Sequence, residues 1–256
     1  MRQKTSRKAT SRRDKQLSLG QHLEELRHRL LITALAFALG TGLVFIVTPR
    51  IFHALLIPAG GIKPVFIDVT EMLSTYFKVA LMGGFTIGLP VFLYELVMFI
   101  APGLTPREKR YLYWMLPMAT LLFVGGALFS YFIFLPPALD FLLHFGEDIA
   151  TPQIRIGNYI SVVTRLMVGT GVVFETPLAM LFLAKMGLVS YRTLARGRRW
   201  AVVMAFVVGA IITPTMDPVN QTLIAVPVMV LYELGIWLVR LLAPGPAAEP
   251  VEAKEG

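Results

Sequence analysis

The 256-residue sequence contains no cysteine, which excludes a disulfide framework, a thiolate metal site and a cysteine nucleophile. Histidine is scarce, and His22, His28, His53 and His144 are too scattered to form a metal-ligand pair at helical spacing. The sequence also lacks a His-Glu-x-x-His motif, a paired-aspartate site and a glycine-rich phosphate-binding loop. We therefore predict no metal, no cofactor and no catalytic residue, and expect that the chain is not an enzyme.

Charged residues are also few, at 16% of the chain, whereas soluble domains carry about a quarter. The mean hydropathy is +0.66, and the apolar residues occur in blocks close to the roughly 20 residues that cross a bilayer as a helix. We predict an all-α integral membrane protein with six transmembrane helices, of which the last two are short. The blocks lie at about 30–47, 76–100, 112–135, 160–186, 200–213 and 222–242.

Three regions are expected along the chain. Residues 1–17 are basic and almost free of apolar side chains, so they should form a disordered cytoplasmic tail, resting on anionic lipid. Residues 18–242 should form the six-helix membrane domain, and residues 243–256 a flexible tail. The pair Arg12-Arg13 superficially resembles an export signal, but Lys15 stands where an apolar residue is required.

The net charge of +8 does not indicate a nucleic-acid partner, because the basic residues collect at one set of predicted helix ends. Those ends hold 19 of the 24 lysines and arginines, and the opposite loops hold only Arg50, Lys63 and Arg155. Cytoplasmic segments of membrane proteins are enriched in lysine and arginine. We therefore predict that both termini lie in the cytoplasm.

The segment LGQHLEELRHRLL, residues 19–31, has leucines at helical spacing and precedes the first apolar block. It predicts an amphipathic helix that runs into the first transmembrane helix. Glu25 and Arg29 are four residues apart and could form an ion pair. Spacing alone favours an interfacial anchor helix with a solvated polar face, and leaves a binding role open.

The predicted loop FIAPGLTPREKRYL, residues 99–112, permits two interpretations. Thr105 and Pro106 have the positions of an N-cap and first helical residue, and Glu108 would complete a capping box with Thr105. Alternatively, Glu108 is the single acid in a basic loop and could receive a cationic ligand.

Glu175 lies in the fourth apolar block, about ten residues and therefore roughly 15 Å from Lys185. A charge at that depth is costly, and such residues usually serve function. Pro177 can kink or unwind the helix there. Glu95 and Glu233 lie nearer the predicted cytoplasmic end and are interpreted as structural, and Arg165 is too distant to pair with Glu175.

Two further patterns involve helix packing. The turn ITPTMDPVNQ, residues 212–221, contains Thr213, Asp217 and Gln221, which could form ordinary turn bonds or a polar docking site for another membrane helix. Gly84-x-x-x-Gly88 is a weak motif for close helix packing.

Four segments in this order resemble the TatC family, the signal-recognition subunits of the twin-arginine protein translocase. They are HLEELRHRL at 22–30, FIAPGLTPREKR at 99–110, FETP at 174–177 and TPTMDPVNQTLIAVP at 213–227. With the predicted spans, the resemblance covers about residues 18 to 241. It implies a concave, glove-like bundle in the inner membrane of a prokaryote. It also implies export of folded proteins, driven by the protonmotive force.

The resemblance implies roles and partners as well. The partners are twin-arginine signal peptides, single-span TatA- and TatB-type proteins and further copies of the chain. Two alternatives stay open, a proton-coupled small-molecule transporter that uses Glu175 and, less favoured, an intramembrane hydrolase. Carried over by motif, the signal-binding residues are Glu25, Arg27, Phe99 and Glu108. The mid-membrane polar site is Glu175 with Pro177. Partner helices are expected to dock near Thr213, Asp217 and Gln221.

Overall fold

Helices form most of the computed structural model, which describes residues 19–60, 63–100, 106–145, 149, 153–213 and 217–243. For residues 19, 21, 100, 106–109, 112 and 143 only the backbone is described, and the predicted tails lie outside these ranges except for residue 243. The helices are α1 (Leu19–Leu56), α2 (Glu71–Ile100), α3 (Pro106–Phe129), α4 (Leu135–His144), α5 (Ile156–Phe174), α6 (Thr176–Lys185), α7 (Tyr191–Arg196), α8 (Arg198–Ile212) and α9 (Pro218–Leu242).

The predicted amphipathic helix and first span form one continuous helix, α1, which packs antiparallel to α2. Glycine makes this contact close. A Cβ built on Gly84 would lie 2.3 Å from Thr41 Oγ1 and 2.6 Å from Thr41 N, and one on Gly88 would lie 3.6 Å from Phe37 Cα. The predicted role in close helix packing is therefore confirmed for Gly84, whereas at Gly88 a Cβ would make an ordinary van der Waals contact.

The start of α1 meets the end of α2, and we call this side of the bundle the Glu25 end. The opposite side, where α2 and α5 begin, is the Glu71 end. There Glu71 accepts hydrogen bonds from Arg155 Nη2 at 2.9 Å and from Gly157 N at 3.1 Å. This carboxylate raises the pKa of Arg155 above its usual value. Val65 exchanges backbone hydrogen bonds with Ile154 and Ile156, so the two connections form a structured cap.

The third apolar block continues beyond residue 135, where the sequence pattern placed its end. After α3 the helix widens into a π-helical turn, Ser130–Phe134, and then continues as α4. Pro136 and Pro137 follow the turn. Prolines fit the first turn of a helix, because its N–H groups have no helical partner. The prolines therefore begin α4 and do not end the membrane helix.

Five helical segments of the described chain are long and apolar enough to cross a membrane. The exception among the six predicted spans is α8, whose 15 residues reach only about 22 Å. The prediction that the last two helices are short holds for α8 and is wrong for α9, which has 25 residues. Asp217 caps α9 by accepting from Asn220 N at 2.7 Å, and Pro218 follows, so α9 starts four residues before the apolar block.

The hydrophobic core lies mainly toward the Glu71 end, where Phe52, Leu135, Tyr159 and Ile160 are buried together. Outside it, large apolar side chains cover the surface, and Ile46, for example, is 76% exposed. Water-soluble monomers rarely expose continuous apolar surface on this scale. The chain is therefore a membrane protein whose helices face lipid.

Candidate functional site

Arg29 joins two carboxylates at the Glu25 end. Its Nε and Nη2 both donate to Glu25 Oε1, and its Nη1 donates to Glu95 Oε2 at 2.9 Å. The side chain of Glu95 is 10% exposed and that of Glu25 is 22% exposed. The predicted Glu25–Arg29 pair is confirmed, and Glu95 has the structural role that was expected for it. Its pairing with Arg29, 66 positions away, was missed, although an acid inside an apolar block already implied a cationic partner.

One oxygen of Glu25 accepts no hydrogen bond from a described residue. Both Arg29 hydrogen bonds go to Oε1, and no described residue bonds to Oε2. A carboxylate has room for several donors, including a bidentate guanidinium. Glu25 therefore combines a fixed position with an acceptor that is still available.

Phe99 lies at the same end of the bundle, one turn after Glu95 on α2. Its ring stacks on the imidazole of His22, with centroids 4.4 Å apart and planes 22° from parallel. His22 precedes Glu25 by one turn on α1. The structure therefore brings Glu25 and Phe99, two of the four signal-binding candidates, to one surface.

The other two candidates differ in how they are placed. Arg27 is exposed on α1 and forms no ion pair with a carboxylate of the described residues. The backbone of Glu108 lies in the first turn of α3, at the Glu25 end, while its side chain and Thr105 lie outside the described residues. The helix does begin at Pro106, as the Thr-Pro pattern predicted.

The mid-membrane candidates interrupt a helix. α5 ends at Phe174, Glu175 has φ −71° and ψ −15°, and α6 begins at Thr176 with Pro177 in its first turn. The carboxyl oxygen Glu175 Oε1 is buried and has no hydrogen-bond partner among the described residues. The expectation that Pro177 disturbs the helix next to a polar group is confirmed, and no described ion pair joins Glu175 to Arg165.

A groove of about 540 Å³ runs between α3, α6 and α9. Its surface is almost entirely apolar, with Lys185 at one end beside Tyr111, 4.9 Å from the ring centroid. Pro177 lines it, which connects the interrupted helix to a concave surface. Its other lining residues are Trp114, Met115, Met118, Leu122, Leu178, Leu181, Leu231, Leu234, Leu238 and Leu242.

The polar side chains of the α8–α9 turn bond mainly to the backbone of the hairpin, while the buried Asn220 Oδ1 has no described hydrogen-bond partner. Thr213, which is 4% exposed, donates to Gly209 O at 2.8 Å. Gln221 donates to Phe206 O at 2.8 Å, and Asp217 caps α9. The Gln221 bond joins α9 to α8, whereas the Thr213 bond lies at the end of α8 and the Asp217 cap at the start of α9. The structure fits the turn interpretation of this segment at least as well as the docking one.

Comparisons with known proteins agree with this architecture. The family model of the Sec-independent protein translocase protein (TatC) matches residues 21–227. The Sec-independent protein translocase protein TatC of Aquifex aeolicus is 41% identical over 231 residues, 88% of this chain and 95% of that protein. Its counterpart in Carboxydothermus hydrogenoformans is 36% identical over 233 residues, 90% of this chain and 96% of that protein.

A solved structure extends the agreement to three dimensions. The crystal structure of "Twin Arginine Translocase Receptor- TatC" superposes with a TM-score of 0.76 at 41% identity. The match covers 86% of this chain and 98% of the solved one. This chain therefore belongs to the TatC family of Sec-independent protein translocase proteins.

Proposed function

We propose that the chain is the core subunit of a twin-arginine translocase and binds the paired arginines of signal peptides at its Glu25 end. The observation that carries this proposal is the Glu25 carboxylate, which Arg29 holds through Oε1 while Oε2 has no described hydrogen-bond partner, on the surface that also carries the Phe99 ring. The similarity to a solved structure described as a twin-arginine translocase receptor supports it.

Arginine recognition follows from the geometry of the guanidinium group. Its planar fork matches a carboxylate through two parallel, charge-assisted hydrogen bonds, whereas lysine offers a single point charge. Glu25 on α1 and Glu108 on α3 would each receive one arginine, and Phe99 would contact the apolar part of the signal. Arg27, which is exposed, would repel basic tails that do not engage the acids.

We place the Glu25 end in the cytoplasm of a prokaryote, with both termini there and the chain in the inner membrane. The clustering of lysine and arginine supports this orientation. α8 would complete six crossings of a concave, glove-like domain spanning residues 18–242. Because α8 reaches only about 22 Å, the bilayer beside it would have to become thinner.

Partners of this non-enzymatic scaffold would be single-span TatA- and TatB-type proteins and further copies of the chain. Their helices would dock near the α8–α9 turn. Since Thr213 is buried and bonded to Gly209 O, Asp217 and the half-buried Gln221 are better placed to meet a docking helix. Export would be driven by the protonmotive force.

Glu175 would act after arginine recognition, as a polar point beside the groove lined by Pro177, where a signal or partner helix inserts. Its buried Oε1, which has no hydrogen-bond partner among the described residues, is the feature that a proton-coupled small-molecule transporter would also require. The membership in the TatC family and the absence of an internal sequence repeat disfavour that alternative.

The test is binding of a fluorescent signal peptide to the purified protein in nanodiscs. An Arg-Arg peptide should bind, and its Lys-Lys version should lose most of its affinity. Each of Glu25→Gln and Glu108→Gln should weaken binding about 10- to 100-fold, because a hydrogen bond to a charged group contributes about 1.5–3 kcal/mol.

Glu24→Gln is the matched control, because Glu24 is exposed on α1 beside Glu25 and has no described ion pair. It should leave affinity unchanged, and Glu175→Gln should leave binding intact but reduce export by vesicles. Equal binding of the Arg-Arg and Lys-Lys peptides would refute the proposed recognition. Loss of binding in Glu175→Gln alone would refute the division of roles.

A further inference from the structure

Two cations lie on the outer surface of neighbouring helices near the Glu71 end. Lys78 of α2 and Arg165 of α5 are both exposed. Lys78 Nζ donates to Ser161 Oγ at 2.6 Å, and Ser161 in turn donates to Gly157 O. Ser161 is four residues before Arg165, so both lie on one face of α5. This bond therefore draws the Lys78 ammonium toward the face that carries Arg165.

Neither cation forms an ion pair with a described carboxylate. Glu71 lies on the same face of α2, seven residues before Lys78, but Arg155 and the amides of Ile67 and Gly157 occupy its oxygens. Glu175 is ten residues from Arg165, roughly 15 Å along the helix. Two positive charges without a described counter-charge therefore lie on adjoining helices, α2 and α5.

Their depth fits the boundary between headgroups and hydrocarbon. α2 and α5 begin together at the Glu71 end, and Lys78 lies about 10 Å and Arg165 about 14 Å from these beginnings. Helical side chains lean toward the N-terminus, and long basic side chains extend to the interface. Both cations are thus directed toward the headgroups of the leaflet at the Glu71 end.

The surface below the cations is apolar. Leu81 lies one turn deeper than Lys78 and is 43% exposed, and Val172 lies two turns deeper than Arg165 and is 55% exposed. A ligand on this face therefore meets positive charge at the headgroup level and hydrocarbon toward the middle of the membrane. An anionic phospholipid has the matching arrangement, with a charged headgroup above apolar acyl chains.

We propose that Lys78, positioned by Ser161, and Arg165 bind the phosphate of an anionic phospholipid in the leaflet at the Glu71 end. The Lys78 ammonium keeps protons beyond the one given to Ser161, and Arg165 offers a guanidinium fork to the phosphate oxygens. The acyl chains then follow Leu81 and Val172. This site is separate from the Glu25 end and does not depend on the proposed signal binding.

Native mass spectrometry of the purified protein with phosphatidylglycerol tests the site, with inorganic phosphate as the second arm. Each cation near a membrane surface contributes about fivefold to anionic lipid binding. Lys78→Gln and Arg165→Gln should therefore each lower affinity about fivefold, and the double variant about 25-fold. Lys78→Arg should keep the affinity. Arg50→Gln, which removes another exposed cation at the end of α1, is the matched control and should change nothing.

The two single variants keep the test valid if the double variant fails to fold. Equal phosphatidylglycerol binding by Lys78→Gln, Arg165→Gln and the unaltered protein would overturn the proposal. An equal loss of phosphatidylglycerol affinity in Arg50→Gln would also overturn the proposal, since the binding would then depend on general surface charge and not on this site. If inorganic phosphate displaced phosphatidylglycerol at equal concentration, the site would bind free phosphate as well as a lipid headgroup, and the proposal of a lipid ligand would be refuted.

Discussion

Gly84→Ala should separate α1 from α2 and thereby disturb the Glu25 end. The added Cβ would lie 2.6 Å from Thr41 N and 2.7 Å from Thr41 Cα. Comfortable carbon contacts are about 3.5–4.0 Å, so the helices must move apart by about 1 Å. Both obstructing atoms belong to the backbone and cannot rotate away. Overpacking of this kind costs about 1–3 kcal/mol, and the shift lengthens the hydrogen bond from Arg29 to Glu95.

Gly42→Ala is the matched control for this prediction. Gly42 lies on α1 close to the same contact, but a Cβ there would meet nothing within 4 Å. Alanine is the better helix former by about 1 kcal/mol, so this variant should be as stable as the parent or more so. The assay is thermal unfolding in detergent. Equal melting temperatures for the two variants would refute the close α1–α2 contact.

Three further predictions concern other contacts. Arg29→Gln leaves the buried Glu95 without its partner and should lower the free energy of unfolding by about 3–5 kcal/mol. The double variant Arg29→Gln, Glu95→Gln should recover much of this lost stability. If the losses of the two single variants simply added, the Arg29–Glu95 ion pair would be contradicted. Gln221→Leu removes one hydrogen bond and should cost about 1 kcal/mol in thermal unfolding, and no loss would show that the α8–α9 bond is absent. Glu71→Gln should speed hydrogen exchange at the Val65 amide, whereas an unchanged rate would show that the cap does not depend on this carboxylate.

The membrane helices and the starts of α1 and α3 could be predicted from sequence, because each of them depends on a local pattern of residues. Apolar blocks gave the membrane class, and the leucine spacing before residue 31 gave the continuous start of α1. The Thr-Pro pattern at residues 105–106 predicted where α3 begins. Each of these signals depends only on residues within a few turns of one another, and the physics of helices and bilayers is sufficient to interpret it.

Features that depend on distant contacts could not be predicted in the same way. No local pattern shows that Arg29 binds Glu95 or that Lys78 meets Ser161, since these pairs are 66 and 83 positions apart. The extent of α9 was underestimated because its first turn is polar, and hydropathy does not register a cap such as Asp217.

A double-mutant cycle tests the central claim most directly, namely that Glu25 accepts a signal arginine. Binding is measured for the parent protein and Glu25→Gln, each with the Arg-Arg peptide and with peptides in which one arginine is replaced by glutamine. For one of the two arginines, the coupling energy should be about 1.5–3 kcal/mol, the value of a hydrogen bond between charged groups. Additive losses for both arginines would contradict the account.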